Sequence, residues 1–542
     1  MKKIVSISIL LLLLVGCNSK SKEDENTEVQ VDSVTIGNSI QKLASDDFQG
    51  RKPFTEGEEK TTAYLKEQFS KLGLQPGNGD SYFQEVPMVA ITGTPSEKMK
   101  ISGKGKNIDL QYFDDFVAVT RKTDSVVDLK NSELVFAGYG IVAPEYGWDD
   151  YKGIDWKGKT AVVLVNDPGF ESQDSTVFKG NTMTYYGRWT YKYEEAARQG
   201  AAGLIIIHET KPASYGWNVV QSSWSGSKLS LVSDAPKIDV RSWITHEAAQ
   251  KIFEAAGMGN KNYKEMAMNK DFKPVPLGLN VSVSIHNNVK KDVSKNVVAL
   301  LPGTDRKDEY IIYSAHWDHL GIGRPVNGDS IYNGAVDNAS GVASMLAIAE
   351  AFTKDKKTER SVVFLAVTGE EQGLLGSEYY AAHPIYLPKK TVANINMDAL
   401  SSPGPMKDVT ITGYGQSEMD EYAKDAADKQ GRYIIPDPVP EKGHFFRSDH
   451  FSFAKIGIPA LYASGSFEDF DHGKDFVKKM NEDYEQNKYH QPSDEYDPKT
   501  TVLSGMQFDA QFLYNIGKRL ANEDYFPKWY DSSEFKSARE NE

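Results

Sequence analysis

The sequence predicts an α/β protein: a mixed, largely parallel central sheet with helices on both faces, carrying an inserted β-rich unit. Three observations lead there. From about residue 280 onward, short apolar strands alternate with helical segments, the pattern of a sheet covered on both sides. Between about 112 and 275 a separate run of strands and glycine turns interrupts that pattern. The chain has 542 residues, 39% of them hydrophobic, which suffices for roughly two to four domains at roughly 150 residues each.

Charge and composition exclude several classes. Lys+Arg 62 against Asp+Glu 76 gives −14, so the basic face that nucleic-acid binding requires is not expected. The 44 Gly and 23 Pro show no collagen period, and no internal repeat is visible.

At the start, Met1-Lys2-Lys3 is basic and Ile4 to Val15 is apolar apart from Ser6 and Ser8. That run is short for a permanent span and suits a signal-peptide core. Leu14-Val15-Gly16-Cys17 resembles a bacterial lipobox. The resemblance implies a signal peptide over 1–16, lipidation of Cys17, and a cell-envelope protein held to the membrane by that anchor, at the outer membrane or cell surface rather than in the cytoplasm. An ordinary secretion signal with an incidental cysteine is the alternative. Cys17 is the chain's single cysteine, so disulfides and Cys–metal sites are not expected. Residues 17–33, with Lys22-Glu23-Asp24-Glu25, read as an acidic flexible tether.

Residues 34–111 are expected to begin the main domain. Thr55 to Glu59 carries helix-start chemistry; Leu65, Phe69 and Leu72 then share one face, and Gly73 stands where a C-cap belongs. This predicts a helix over about 57–72. In the insert, 112–275, strands are expected at 134–140, 160–165 and 204–207, with a helix over 194–199 ended by Gly200. The stretch Gly138 to Trp148, with Gln199 to Gly203, resembles a protease-associated (PA) domain. That implies a lid or substrate-side wall. Residues 276–525 are expected to hold strands at 296–301, 310–313, 361–367 and 391–396 and a helix at 343–352; 526–542 reads as a polar tail.

In open α/β sheets ligands bind beyond the carboxyl ends of the strands. Those ends carry His316-Trp317-Asp318, Asp337 ahead of Asn338-Ala339-Ser340-Gly341, Glu370-Glu371 and Asp398, and Tyr489-His490 follows late in the domain. Singly, each has an ordinary structural reading: His-x-Asp on a surface, a glutamate pair on a solvated face, Asp337 as an N-cap. Together, histidines and carboxylates on converging loops match the nitrogen and oxygen preference of Zn²⁺. Five ligands serve two ions if one carboxylate bridges them, and a further carboxylate must take the proton of water. The Glu370-Glu371 pair offers one ligand and one base, and Asp318 is a natural orienting partner for His316.

Ser314 to Gly321, Gly334 to Gly341, Gly369 to Ser377, Asn396-Met397-Asp398 and Tyr489-His490 occur in the order of peptidase family M28, and the chain resembles that family from about 40 to 520, insert included. The resemblance implies a co-catalytic zinc exopeptidase acting on peptide substrates, with two Zn²⁺ per chain. His316 and Asp398 would hold one ion, Glu371 and His490 the other, and Asp337 both. Glu370 would be the general base, Asp318 would orient His316, and Tyr489 would stabilise the oxyanion. His319 stands outside this ligand set. Arg447-Ser448-Asp449-His450 is expected either to line the substrate pocket or to brace the metal loops. The aromatic run Tyr185, Tyr186, Trp189, Tyr191, Tyr193 is expected to pack the insert. An aminopeptidase is the leading expectation. A carboxypeptidase or dipeptidase of the same fold, a one-zinc transferase resembling glutaminyl cyclases, and an inactive receptor-like binder remain alternatives.

Overall fold

The computed structural model describes residues 29–400 and 403–540. The signal peptide, Cys17 and most of the tether lie outside the described residues. Helix α1 (Ser33–Leu43) starts at Asp32, whose carboxylate accepts from the Val34 amide. Helix α2 (Glu56–Lys71) starts at Thr55, whose hydroxyl accepts from the Gly57 amide, and it buries Leu65 and Phe69. Gly73, just beyond it, has φ +77, a conformation that favours glycine.

The chain then leaves the main body along β1 (Phe83–Pro95) and enters the inserted unit. There β2 (Val126–Phe136), β3 (Thr160–Leu164), helix α3 (Trp189–Arg198), β4 (Gly203–Ile207) and β5 (Val240–Ile244) form a parallel layer in the order β2–β3–β4–β5. Strands β3 to β5 are buried along their whole length, as expected of parallel strands covered on both faces. The core of the unit runs from Met99 to Ile285, wider than 112–275. The extra wall comes from the hairpin over 98–111 and from the first half of β6 (Val275–Leu301).

Strand β6 is 27 residues long, and only its last part corresponds to the expected strand at 296–301. Between the two units it pairs antiparallel with β1, from Ile285 opposite Pro95 to Val297 opposite Phe83. Its middle, Asn287 to Asp292, is polar, so no apolar run marks it as strand; backbone pairing makes it one.

The main domain follows with β7 (Arg306–His316), helix α4 (Gly341–Lys354), β8 (Arg360–Val367), β9 (Thr391–Asn396), helix α5 (His450–Lys455), β10 (Ala460–Ser464), helix α6 (Gly473–Asn487) and helix α7 (Leu503–Asn522). The sheet runs β6–β8–β7–β9–β10, with β8, β7, β9 and β10 parallel and β6 antiparallel. This is the mixed, largely parallel sheet expected, and helices α1, α4 and α7 share one of its cores.

One expectation fails at the C-terminus. Within the predicted polar tail, Trp529 and Phe535 are buried against Phe445, Phe446 and Phe451, and the Trp529 indole donates to the Gly457 carbonyl at 2.8 Å. Two large aromatics bury enough apolar area to hold down a segment whose average composition is polar. Among the described residues no helix is long and apolar enough to cross a membrane.

Candidate metal centre

Four of the acidic or histidine side chains of interest leave strand ends on one edge of the sheet, and two more reach it from turns beside helices. His316 closes β7, Glu370 and Glu371 follow β8, and Asp398 follows β9. Asp337 sits in the turn before α4, in the cis-linked Asp337–Asn338 unit, and His490 lies beyond α6.

The loops are tied together by groups that do no chemistry themselves. Arg51 is buried and donates to four carbonyls: Trp317 (2.9 Å), Leu43 (2.8 Å), Asn333 (2.5 Å) and Gly334 (2.8 Å). The Asp494 carboxylate accepts from the Val336 and Asp337 amides at 3.0 and 3.1 Å. Asn338 donates to the Met397 carbonyl and accepts from Gly341 and Ala399, joining the Asp337 turn to the Asp398 loop. The Ser448 hydroxyl donates to Asp398 at 2.6 Å.

Asp337 lies between two histidines. Its Oδ1 is 3.3 Å from His316 Nε2 and its Oδ2 is 3.2 Å from His490 Nε2. His316 Nε2 also faces Asp398 at 3.2 Å, and His490 Nε2 faces Glu371 at 3.1 Å. Glu370 stands beside the first histidine, 3.9 Å from its Nε2. All five expected ligands and the expected base therefore meet at one place.

Two details differ from expectation. The His316 Nδ1 proton points at the Asp318 backbone carbonyl, 3.2 Å away, while the Asp318 carboxylate is 3.8 Å off and accepts from the Glu370 amide instead. Asp318 thus orients the ring through its main chain and fixes the Glu370 turn through its side chain. His319, set aside in the sequence, has its Nδ1 2.5 Å from Glu371 Oε1 and its ring 5.7 Å from that of His490. Its place two residues beyond His316-Trp317 on the same loop was the only signal for this contact.

Electrostatically the cluster is overloaded with acid. Asp318, Asp337, Glu370, Glu371, Asp398 and Asp449 converge on His316, His319 and His490, and among the described residues no lysine or arginine forms an ion pair with any of them. Burial pushes Glu370 well above the ordinary range, with Asp398, Glu371 and Asp449 adding to it. Burial alone would depress His490, yet Glu371 and Asp337 carry it up to about 10. The Nε2 atoms of His316 and His490 each face two carboxylate oxygens within 3.3 Å, an arrangement that could hold a cation. The donors are nitrogen and oxygen only, as Zn²⁺ and related ions accept. His316, Asp337 and Asp398 form one possible ligand group; His319, Asp337 and Glu371 form another, with His490 in contact.

Tyr489 stacks on His490, ring centres 3.9 Å apart, with 47% of its surface exposed. The site opens into a cleft of about 1010 Å³ walled by both units. Of the aromatic run, Tyr191 and Tyr193 are buried in the insert, and Tyr185 packs across onto Phe446 and Phe451 of the main domain. Within the Arg447 to His450 stretch, Arg447 lines the cleft and Ser448 donates to Asp398.

Comparison with known proteins points the same way. Residues 296–508 match peptidase family M28. Aminopeptidase NAALADL1 of Mus musculus is 35% identical over 143 residues, 25% of this chain and 18% of that protein. Probable leucine aminopeptidase 2 of Aspergillus oryzae is 25% identical over 271 residues, 48% of each chain. The curated relatives are thus matched over half of their length or less. An aminopeptidase from Aneurinibacillus sp. strain AM-1 shares the fold, with a TM-score of 0.50 and 22% identity over 92% of this chain and 96% of that one.

Proposed function

We propose, from the family M28 match and the geometry of the centre, that the protein is a two-zinc exopeptidase that removes N-terminal residues from peptides. The observation that carries this is Asp337, whose two oxygens face separate histidines, each with a second carboxylate of its own. His316 and Asp398 would hold one Zn²⁺, Glu371 and His490 the other, and Asp337 both. His319, in contact with Glu371, holds that carboxylate in place. Zinc held by these residues would supply Lewis acidity toward the scissile carbonyl and the attacking water.

The chain's own groups do the rest. Glu370 is raised by burial and faces His316 without a hydrogen bond of its own to a ligand; its carboxylate takes the proton of the attacking water and returns it to the leaving amine. Asp318 holds the Glu370 amide and, through its carbonyl, the His316 tautomer. Tyr489, at the rim, offers its hydroxyl to the oxyanion. We further propose that the inserted unit is a PA domain forming the substrate-side wall, and that Cys17 anchors the protein by lipid to the cell envelope.

Purified protein should contain two zinc ions per chain. A chelator should abolish hydrolysis and Zn²⁺ should restore it. N-acetylated peptides should resist cleavage. Full activity in metal-free protein would refute the mechanism, and cleavage of acetylated peptides from their C-termini would replace the aminopeptidase reading with a carboxypeptidase.

A further inference from the structure

The fold gives its buried arginines partners, with a notable exception in the cleft. Arg51 donates to four carbonyls. Arg360 pairs with Glu309 and two carbonyls, and Arg432 with Asp509 and the Asp408 carbonyl. Arg188 and Arg447 have no such arrangement. Among the described residues, Arg188, 8% exposed, has no hydrogen-bond partner for its Nε, and Arg447 leaves both Nε and Nη2 buried and unpartnered. Among the described residues neither forms an ion pair.

The two come from different units. Arg188 precedes α3 in the insert, and Arg447 precedes α5 in the main domain. Both wall the same cleft as Glu370, Glu371 and His490. They are close enough to repel: after burial, Arg447 is the leading influence depressing Arg188. Two further cations, Arg241 and Lys228, line the cleft, and among the described residues neither forms an ion pair, although Glu194 and Glu378 in the same lining act on Arg241 without touching it. A buried guanidinium without an anion is unfavourable, and two side by side are more so. Such a pair is stable when an anion enters between them, and the planar guanidinium fork is matched to a carboxylate.

We propose that Arg188 and Arg447 form a carboxylate receptor, built jointly by the insert and the main domain, that selects peptides presenting a carboxylate near the scissile bond. This rests on the peptidase reading and adds its substrate class. The carboxylate is either the C-terminus of a short peptide or an acidic side chain; both offer the same two oxygens.

The test uses zinc-loaded protein and matched peptide pairs. One arm compares a neutral tripeptide as free acid and as C-terminal amide. The other compares amidated tripeptides carrying Glu or Gln at each position. In at least one arm the charged member should be preferred at least 10-fold in kcat/KM, mainly through KM, and the arm that responds names the source. In Arg188→Gln and in Arg447→Gln that ratio should fall to about 1, with the Lys variants intermediate because they keep charge but lose the fork. Glutarate, titrated against neutral glutaramide, should bind wild type at least 10-fold more tightly than it binds Arg188→Gln. Because Arg188 forms no ion pair or side-chain hydrogen bond among the described residues, Arg188→Gln should melt no lower than wild type. The proposal is overturned if wild type treats both members of every pair alike, or if the variants keep the preference. It is equally overturned if they melt lower with the preference intact, which would make the arginines structural. Absence of hydrolysis of every peptide by zinc-loaded protein would refute the peptidase reading instead, and the glutarate titration would still report on the receptor.

Discussion

Glu370 and Glu371 are sequence neighbours with opposite surroundings. Glu371 is pushed up by burial and Asp337 yet held down to about 2 by His490 and His319, whereas Glu370 is driven well up. One is suited to hold a cation and the other to carry a proton. Glu370→Gln should therefore keep both zinc ions and lose about 10²–10⁴ in kcat with little change in KM. Glu371→Ala should lose metal as well as activity. Zinc content and kcat of the two variants, measured side by side, would reverse the assignment if the metal loss followed Glu370. The sequence brought this pair, Asp337, His316 and His490 into view, and the fold gathers them in one cluster, because the chemistry the motifs imply restricts those positions to a few residue types. Arg51 was not legible. Arg51 acts on carbonyls, which every residue carries, and its partners span Leu43 to Gly334. Only folding brings them together.

At the scale of elements, apolar runs were read well and polar pairings poorly. Strands β8 and β9 were found nearly to the residue because they are buried throughout. The middle of β6 was not, since its strand character comes from β1. The C-terminal segment was misread in the same way, its two buried aromatics being outvoted by charged neighbours. That segment also carries Glu534, which accepts from the Tyr185 amide of the insert at 3.3 Å. Burial lifts its pKa from 4.5 to about 7, against Lys179 and with help from Asp167 and Glu145. The folded state thus holds this proton more tightly than the unfolded chain. Its contribution to stability is complete below about pH 4.5 and is lost as pH rises to about 7, a swing of up to about 3 kcal/mol. Glu534→Gln should abolish that slope, gaining on wild type between those limits. Melting curves of both proteins at pH 4.5, 6 and 7.5 check it, and parallel pH profiles would contradict it.

At the scale of the whole molecule, the alternation of strands and helices disclosed the main sheet and the insert, but not how the two are joined. The N-terminal reading is open to a direct trial. Cys17→Ser should move the protein from the membrane to the soluble fraction with peptidase activity retained, since acyl chains contribute about 0.8 kcal/mol per buried CH₂. A variant that still sediments with membranes in high salt would rule the anchor out. The join itself has a kinetic corollary. The chain enters and leaves the insert along β1 and β6, which are hydrogen-bonded to one another from Phe83–Val297 to Pro95–Ile285, so no loop serves as a hinge at that crossing. A ribbon of this kind twists readily but does not fold open. On the proposed function, turnover would then have no large swing of one unit to wait for, and exchange of substrate and proton transfer at Glu370 would be left to set its pace.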